Sequence, residues 1–377
     1  MDRLGVAFTG GLAASEIVEC VKLAEDLGYD SAWVAEGHGG DQFAILAACA
    51  VATSRIRLGT SISSVFVRSA PTIAMAAATV DQLSGGRFVL GLGSSHRVQV
   101  EGEHGLPYAR PIDRLRETVE VVRGLLRDGA VSFRGEIIDI PKFDLWFRPL
   151  RPSVPIYLSG LFRPMLEVCG EVAQGVILTW STPDFARGAA AHVATGAKRA
   201  GRDAAEIEMT TLLGCAVSAD VDEARRRLKP GVALYAGFFP RYNRLLAESG
   251  FAEAAAAIKS AWERGDREGA VRLVPDALID AVALAGPPAR CRERLAAYRE
   301  AGVRLPIVTP RVRDGGRASA VIEAIRACAP ACCRRDNGAW NSSSRTSTFC
   351  CATFSPSSLS PSSSRHRACR FRAGSFC

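Results

Sequence analysis

Two short polar runs, WVAEGHGGD at residues 33–41 and GLGSSHR at residues 91–97, hold the residue types best suited to chemistry in this chain. In the first, Glu36 and His38 set a carboxylate beside an imidazole, a pair that can relay protons or hold a polar ring near neutral pH, and the glycines let backbone approach a ligand. A hydrogen-bonded loop pair is the plainer reading of the same residues. In the second, Gly91, Gly93, Ser94 and Ser95 offer free N–H groups and hydroxyls ahead of His96 and Arg97, which suits a phosphate or a polar ring edge. Ser159, Gly160 and Leu161 make a similar small-residue turn before an expected helix, a second candidate phosphate site for which simple packing is the alternative. Arg68, Glu101, Glu103, His104, Tyr108, Arg110, Arg163, Trp180 and Arg311 fall in the same class of loops and give a mixed, mildly basic rim. Such a rim fits an anionic cofactor better than a bare metal, and no metal site is expected. The sequence contains no HxH, HExxH or GxSxG, and GLG lacks the third glycine of a dinucleotide fingerprint, so metal hydrolase, serine esterase and Rossmann readings fall away.

These runs follow expected strands. From Ile56 to Arg97 the chain reads as strand, irregular loop, helix and strand, and a βαβ unit of this kind carries Thr60–Ser64 and Gly93–Arg97 to one rim at the carboxyl ends of its strands. LGVAFT leads to a helix at 15–27 ended by Gly28, and SAWVAE to one at 41–53. A helix at 112–127 follows a longer polar loop, 94–111; PIYLSG precedes a helix near 164–173 and GVILTW one at 184–200. EIEMTTLLGCAV and PIVTP supply a seventh and an eighth strand, the last before a helix at 317–327. Eight βα units predict a (β/α)8 barrel, with an open doubly wound sheet as the competitor. VSFRGEIIDI reads as a short hairpin inserted before the fifth strand. Residues 220–285 read as mostly helical, and the aromatic run YAGFFPRYN (235–243) is expected to pack on the barrel, with a lid as the alternative.

At 377 residues, 48% hydrophobic, the chain has ample material for one large core. No stretch approaches the roughly 18 uninterrupted apolar residues of a membrane span. MDRLGVAFTGG lacks a basic segment followed by a long apolar one, so a cytoplasmic protein is expected. Of the net charge of +8, residues 331–377 carry +6, from seven arginines against Asp336; the remainder is nearly neutral and shows no nucleic-acid footprint. Those last residues are rich in Ser and lack any hydrophobic period, so 1–330 is expected to be the folded domain and 331–377 a disordered tail whose abrupt onset resembles an out-of-frame extension. A basic nucleic-acid-binding arm is the functional alternative for it. Cys20, Cys49, Cys169, Cys215, Cys291 and Cys328 sit among apolar neighbours and are expected to be buried free thiols.

Residues 1 to about 330 resemble the bacterial luciferase-like superfamily, in particular its coenzyme F-420-dependent branch, which includes methylenetetrahydromethanopterin reductase. The resemblance rests on AEDLGYDSAWVAEGH, on SRIRLGTSISSVFVRSAPTIAMAAATVDQLSGGRFVLGLGSS, on PIDRLRETVEVVRGLL followed by the hairpin, and on MLEVCGEVAQGVIL, in this order and spacing. It implies a barrel that binds a flavin or deazaflavin at the carboxyl ends of its strands and passes hydride between that cofactor and a small organic substrate. It further implies a non-proline cis peptide at Ser61–Ile62 in the third-strand bulge behind the cofactor ring, with Thr60, Ser61 and Ile62 forming that platform. Gly93, Ser94 and Ser95 match the fourth-strand cofactor loop and Gly160 the fifth-strand phosphate loop, and Ser159 and Trp180 are further expected cofactor contacts.

Two departures weaken the transfer of catalytic roles. Relatives often place an acid directly before a histidine after the second strand, whereas here Gly37 separates Glu36 from His38; sugar-phosphate dehydrogenases of the family have a glutamate where this chain has His96. The expectation is therefore an F-420-dependent oxidoreductase with Glu36 and His38 near the ring and His96 as proton donor or acceptor. The rivals are an FMN-dependent monooxygenase served by a separate flavin reductase and a barrel that binds flavin without turnover. The family resemblance also implies a homodimer.

Overall fold

Eight parallel strands follow one another around a ring: β1 Gly5–Phe8, β2 Ser31–Val34, β3 Arg57–Thr60, β4 Phe88–Gly93, β5 Ile156–Ser159, β6 Gly175–Thr179, β7 Glu208–Val217 and β8 Leu305–Pro310. Each pairs with its successor, and β8 returns to β1 through Gly5↔Ile307 and Val6↔Val308. The expected (β/α)8 barrel is thus closed, and the open sheet is excluded. The computed structural model describes residues 3–311 and 318–330. The segment 331–377, expected to be disordered, lies outside the described residues.

The connecting helices begin where local chemistry satisfies their first amides. Asp41 accepts from the Ala44 N–H (2.9 Å) to start Gln42–Ala52, and Thr182 accepts from the Phe185 N–H (3.1 Å) to start Pro183–Arg199. The apolar faces of these helices bury against the outside of the barrel together with all six body cysteines, which are free thiols as expected. Inside the barrel, Trp33, Tyr157, Ile177 and Ile307 fill the bore, with the Trp33 and Tyr157 rings 5.7 Å apart. Gly59 makes room for this layer, since a Cβ there would lie 2.4 Å from the Trp33 ring. Beneath it, at the amino ends of the strands, Asp30 accepts from Arg3 Nε (2.7 Å) and Arg57 Nη2 (2.5 Å), Glu208 pairs with Arg3, and the Tyr157 hydroxyl donates to Glu208 (2.6 Å). Burial pushes the Asp30 carboxyl up, but the two guanidinium groups outweigh it and hold it below the usual range.

The third strand is irregular in a defined way. β3 pairs with β4 at Gly59↔Val89, and pairing resumes at Ser63↔Leu92, so three residues of one strand stand against two of the other. Thr60 bridges the gap: its hydroxyl donates to the Gly91 carbonyl and accepts from the Gly91 N–H, both at 2.8 Å. The Ser61–Ile62 peptide in this bulge is cis. Residue 91 must be glycine, because a Cβ would stand 1.9 Å from the Thr60 carbonyl oxygen.

The hairpin forms as Ala130–Arg134 against Asp139–Asp144, its second arm starting later than the IIDI of the sequence reading because Gly135–Ile138 make the turn. The loop 94–111 holds a short helix, Arg97–Gly102, which was not foreseen. The excursion after β7 is helical as expected, with helices Val221–Phe238, Pro240–Leu246, Ala252–Glu263, Arg267–Arg272 and Asp276–Val282 around a core of their own. It ends in an unforeseen strand, Ala283–Gly286, which pairs with the carboxyl half of β7 where that strand outruns β6. Among the described residues no helix is long and apolar enough to cross a membrane.

Replacing Gly91 by alanine forces apart β3 and β4 and should cost more than about 3 kcal/mol. Gly124→Ala, mid-helix and meeting only Val131 at 3.4 Å, should stabilise by about 0.5–1 kcal/mol. Urea midpoints of the two proteins check both, and a Gly91→Ala protein as stable as the parent would refute the account of the bulge.

Candidate active site

A cavity of about 1340 Å³ opens at the carboxyl ends of the strands. Glu36, His38, Ser61, Ile62, Ser94, Ser95, His96, Ser159, Gly160 and Trp180 all line it. Thr60 and Gly93 do not reach it: the Thr60 hydroxyl is spent on Gly91, and Gly93 lies behind Ile62 and Ser159, whose side chains a Cβ would strike. They position the wall rather than form it.

Glu36 is tied into that wall. Its carboxylate accepts from the Ser64 N–H (2.8 Å) and from Arg68 Nε (2.5 Å), while Arg68 reaches on to Asp41 (2.5 Å). These bonds fasten the end of β2 to the residues just past the bulge, so Glu36 shapes the platform, which the spacing of Glu36 and His38 alone did not reveal. His38 is 80% exposed and pairs with Glu103 (3.1 Å), linking the β2 and β4 loops across the cavity mouth.

His96 is the more enclosed imidazole. Its ring lies 4.6 Å from the Phe239 ring and 5.2 Å from that of Tyr242, under a roof supplied by the helical excursion. Burial, aided by the positive charge of Arg241, pushes its pKa down to about 4, so at neutral pH it is uncharged. The aromatic run 235–243 therefore packs, as expected, and also covers the site: Tyr235 stands 5.3 Å from Trp180 and 4.8 Å from Tyr242. Ser95 (φ 54°) and Trp180 (φ 53°) both adopt the left-handed backbone conformation at strand ends, a strained state for such side chains. Ser94 is held by the Tyr108 hydroxyl, which donates to it at 3.3 Å. Thr9, Gly10 and Gly11 after β1 also line the cavity and were missed. Their TGG run is the same small-residue signal read after the other strands.

The lining can be tested against a flavin-type ring with a phosphate-bearing tail. Ser61 Oγ is buried at the bulge with no hydrogen-bond partner among the described residues, leaving a donor and an acceptor for a ring edge. Ser159, Gly160 and Leu161 lead into helix Arg163–Val172, whose N-cap Phe162 has no capping side chain, so the positive end of that helix faces the cavity uncompensated. Ser94 and Ser95 add hydroxyls, and the apolar Ile62, also in the lining, packs against the residues that fill the bore. The residues fit such a group. Among the described residues no cluster of three or more His, Cys, Asp or Glu could hold a metal ion.

Comparison with known proteins agrees with this geometry. The sequence profile of the luciferase-like monooxygenase family matches residues 3–305. The chain is 30% identical over 307 residues to 5,10-methylenetetrahydromethanopterin reductase of Archaeoglobus fulgidus, covering 80% of this chain and 91% of that one. Among solved structures, the coenzyme F-420-dependent tetrahydromethanopterin reductase of Methanopyrus kandleri superposes with a TM-score of 0.77 at 27% identity, over 86% of this chain and 96% of the other. The oxygenating constituent of the 3,6-diketocamphane monooxygenase of Pseudomonas putida, solved with FMN, shares the fold at 16% identity and a TM-score of 0.64, over 87% and 97%. The chain belongs to the luciferase-like monooxygenase family.

Proposed function

We propose that this oxidoreductase transfers hydride between coenzyme F-420 and a small organic substrate. The observation that carries the reading is the likeness to the F-420-dependent reductase of Methanopyrus kandleri over nearly the whole of both chains, together with a cavity lining that fits a flat ring backed by the β3 bulge. When bound, a deazaflavin supplies two-electron hydride transfer without oxygen chemistry. The residues of this chain supply position, enclosure and proton control. Ile62 and Ser61 offer an apolar back and a free hydroxyl to the ring, and Glu36 keeps them in place through Arg68 and the Ser64 amide.

His96, neutral and roofed by Phe239 and Tyr242, suits a hydrogen bond from its N–H to a substrate oxygen on which negative charge develops. An imidazole with so low a pKa is a weak base, so donation as the neutral ring is the role its surroundings favour. His38 is placed at the solvent edge, where with Glu103 it can pass protons to and from water. The likeness to FMN-containing monooxygenases supports the fold alone and makes FMN the alternative.

Titrating the cofactor-free protein with F-420 and, separately, with FMN, followed by fluorescence and the visible spectrum, should give tight binding of F-420; preference for FMN would redirect the reading to monooxygenation. Glu36→Ala frees both Arg68 and the Ser64 amide and should lower stability by about 2–4 kcal/mol and weaken cofactor binding. A Glu36→Ala protein with parental cofactor affinity but no turnover would instead make Glu36 a direct participant. Because the unfolded chain takes up a proton at His96 near pH 6.5 and the folded one only near about 4, the folded state loses stability as pH falls through that window. His96→Gln should therefore lose less stability than the parent between pH 6.5 and 4, measured by melting temperature, and parallel curves would refute the neutral, enclosed imidazole.

A further inference from the structure

Arg311 follows β8, three strands around the ring from the β3 bulge, and its amide donates to the Cys215 carbonyl of β7 (2.9 Å). Its guanidinium lines the cavity, with its central carbon 5.3 Å from the centroid of the Trp180 ring. The side chain fits there because residue 231 of the overlying helix is glycine; a Cβ on Gly231 would come within 2.2 Å of Nη2. Of the other arginines lining this cavity, Arg163 pairs with Glu167 and Arg244 with Glu248, while Arg241 and Arg267 are exposed to solvent. The cavity carboxylates Glu36, Glu103 and Glu248 are all committed in pairs. Arg311 forms no ion pair with any described residue, and its Nε is buried without a hydrogen-bond partner. Thr309, two residues earlier and also in the cavity wall, has a buried hydroxyl in the same condition. Burial accordingly pulls the Arg311 pKa below its ordinary value.

A buried guanidinium is retained when something anionic completes it. One planar fork and one hydroxyl match the two oxygens of a carboxylate. The surrounding rings of Trp180, Tyr235, Phe239 and Tyr242 match a flat apolar body attached to that carboxylate. We propose that Arg311 and Thr309 form the receptor for a substrate carboxylate, and that the substrate is a flat, largely apolar carboxylic acid. This deepens the oxidoreductase reading and rests on it for the identity of the second ligand. The other source of an anionic group in the same cavity would be the tail of the cofactor.

The test is calorimetric titration of the full chain with 2-naphthoate and with its uncharged counterpart 2-naphthamide, beside a separate titration with F-420. The parent protein should bind naphthoate at least about tenfold more tightly than the amide, as a charge-assisted pair implies. Arg311→Met should abolish that difference, leave F-420 affinity within about twofold and keep or raise the melting temperature, since it removes an unpaired buried charge. Arg311→Lys, with charge but no fork, should fall between the two. Equal binding of acid and amide by the parent, an undiminished preference in Arg311→Met, or a marked fall in its melting temperature would each overturn the proposal. So would loss of F-420 affinity with naphthoate binding unchanged, which would give the guanidinium to the cofactor. A naphthoate preference with no binding of F-420 or FMN would uphold the carboxylate receptor and overturn the cofactor reading alone.

Discussion

The double hydrogen bond between the Thr60 hydroxyl and the backbone of Gly91 is the constraint on which the cavity depends. A closed barrel satisfies its backbone groups by pairing each strand with two neighbours, and an extra residue in one strand would leave a donor and an acceptor unpaired in the interior. Thr60 replaces the missing ladder with its own side chain. The wall can then bend at Ser61–Ile62 without leaving the Gly91 backbone groups unsatisfied, and Glu36 with Arg68 holds the far side of the bend. Three residue types are thereby explained together: a hydroxyl at 60, no side chain at 91, and a carboxylate at 36.

The helical excursion contributes the other half of the environment. Its helices are anchored in a core of their own, in which Leu228, Ile258 and Leu278 are fully buried, so the aromatic residues it lends to the cavity stand on a rigid base. Those rings enclose His96 and Trp180 in surroundings of low polarity, which is the physical reason the imidazole stays neutral. The barrel floor supplies shape and the roof supplies dielectric.

Most of the fold was legible because buried parallel strands are continuous apolar runs and the helices carry their own caps. RLGT, FVLGLG and GVILT could be read directly, as could the Asp41 and Gly28 boundaries. Ala283–Gly286 was hidden because ALAG continues the apolar pattern of the helix before it, and only the length of β7 makes it a strand. At the site, rim positions followed from the strand ends, but the tasks of the residues there depended on distant partners. Nothing near Glu36 in the chain announces Arg68, and nothing near His96 announces Phe239 and Tyr242. Thr60 was read as a cofactor contact for the same reason: its partner Gly91 was assigned to a loop motif of its own.

The filled bore has a kinetic meaning. Trp33 and Tyr157 occlude the barrel, and the ion cluster of Arg3, Asp30, Arg57 and Glu208 seals it from below. No ligand can pass through the axis, so whatever sits against the β3 bulge must have entered from the strand ends, past the loops and rings around the cavity mouth. Two molecules that share one doorway queue. With both molecules bound as proposed, the one at the bulge would enter first and leave last, so an ordered sequence of binding and release would follow from the barrel's packing.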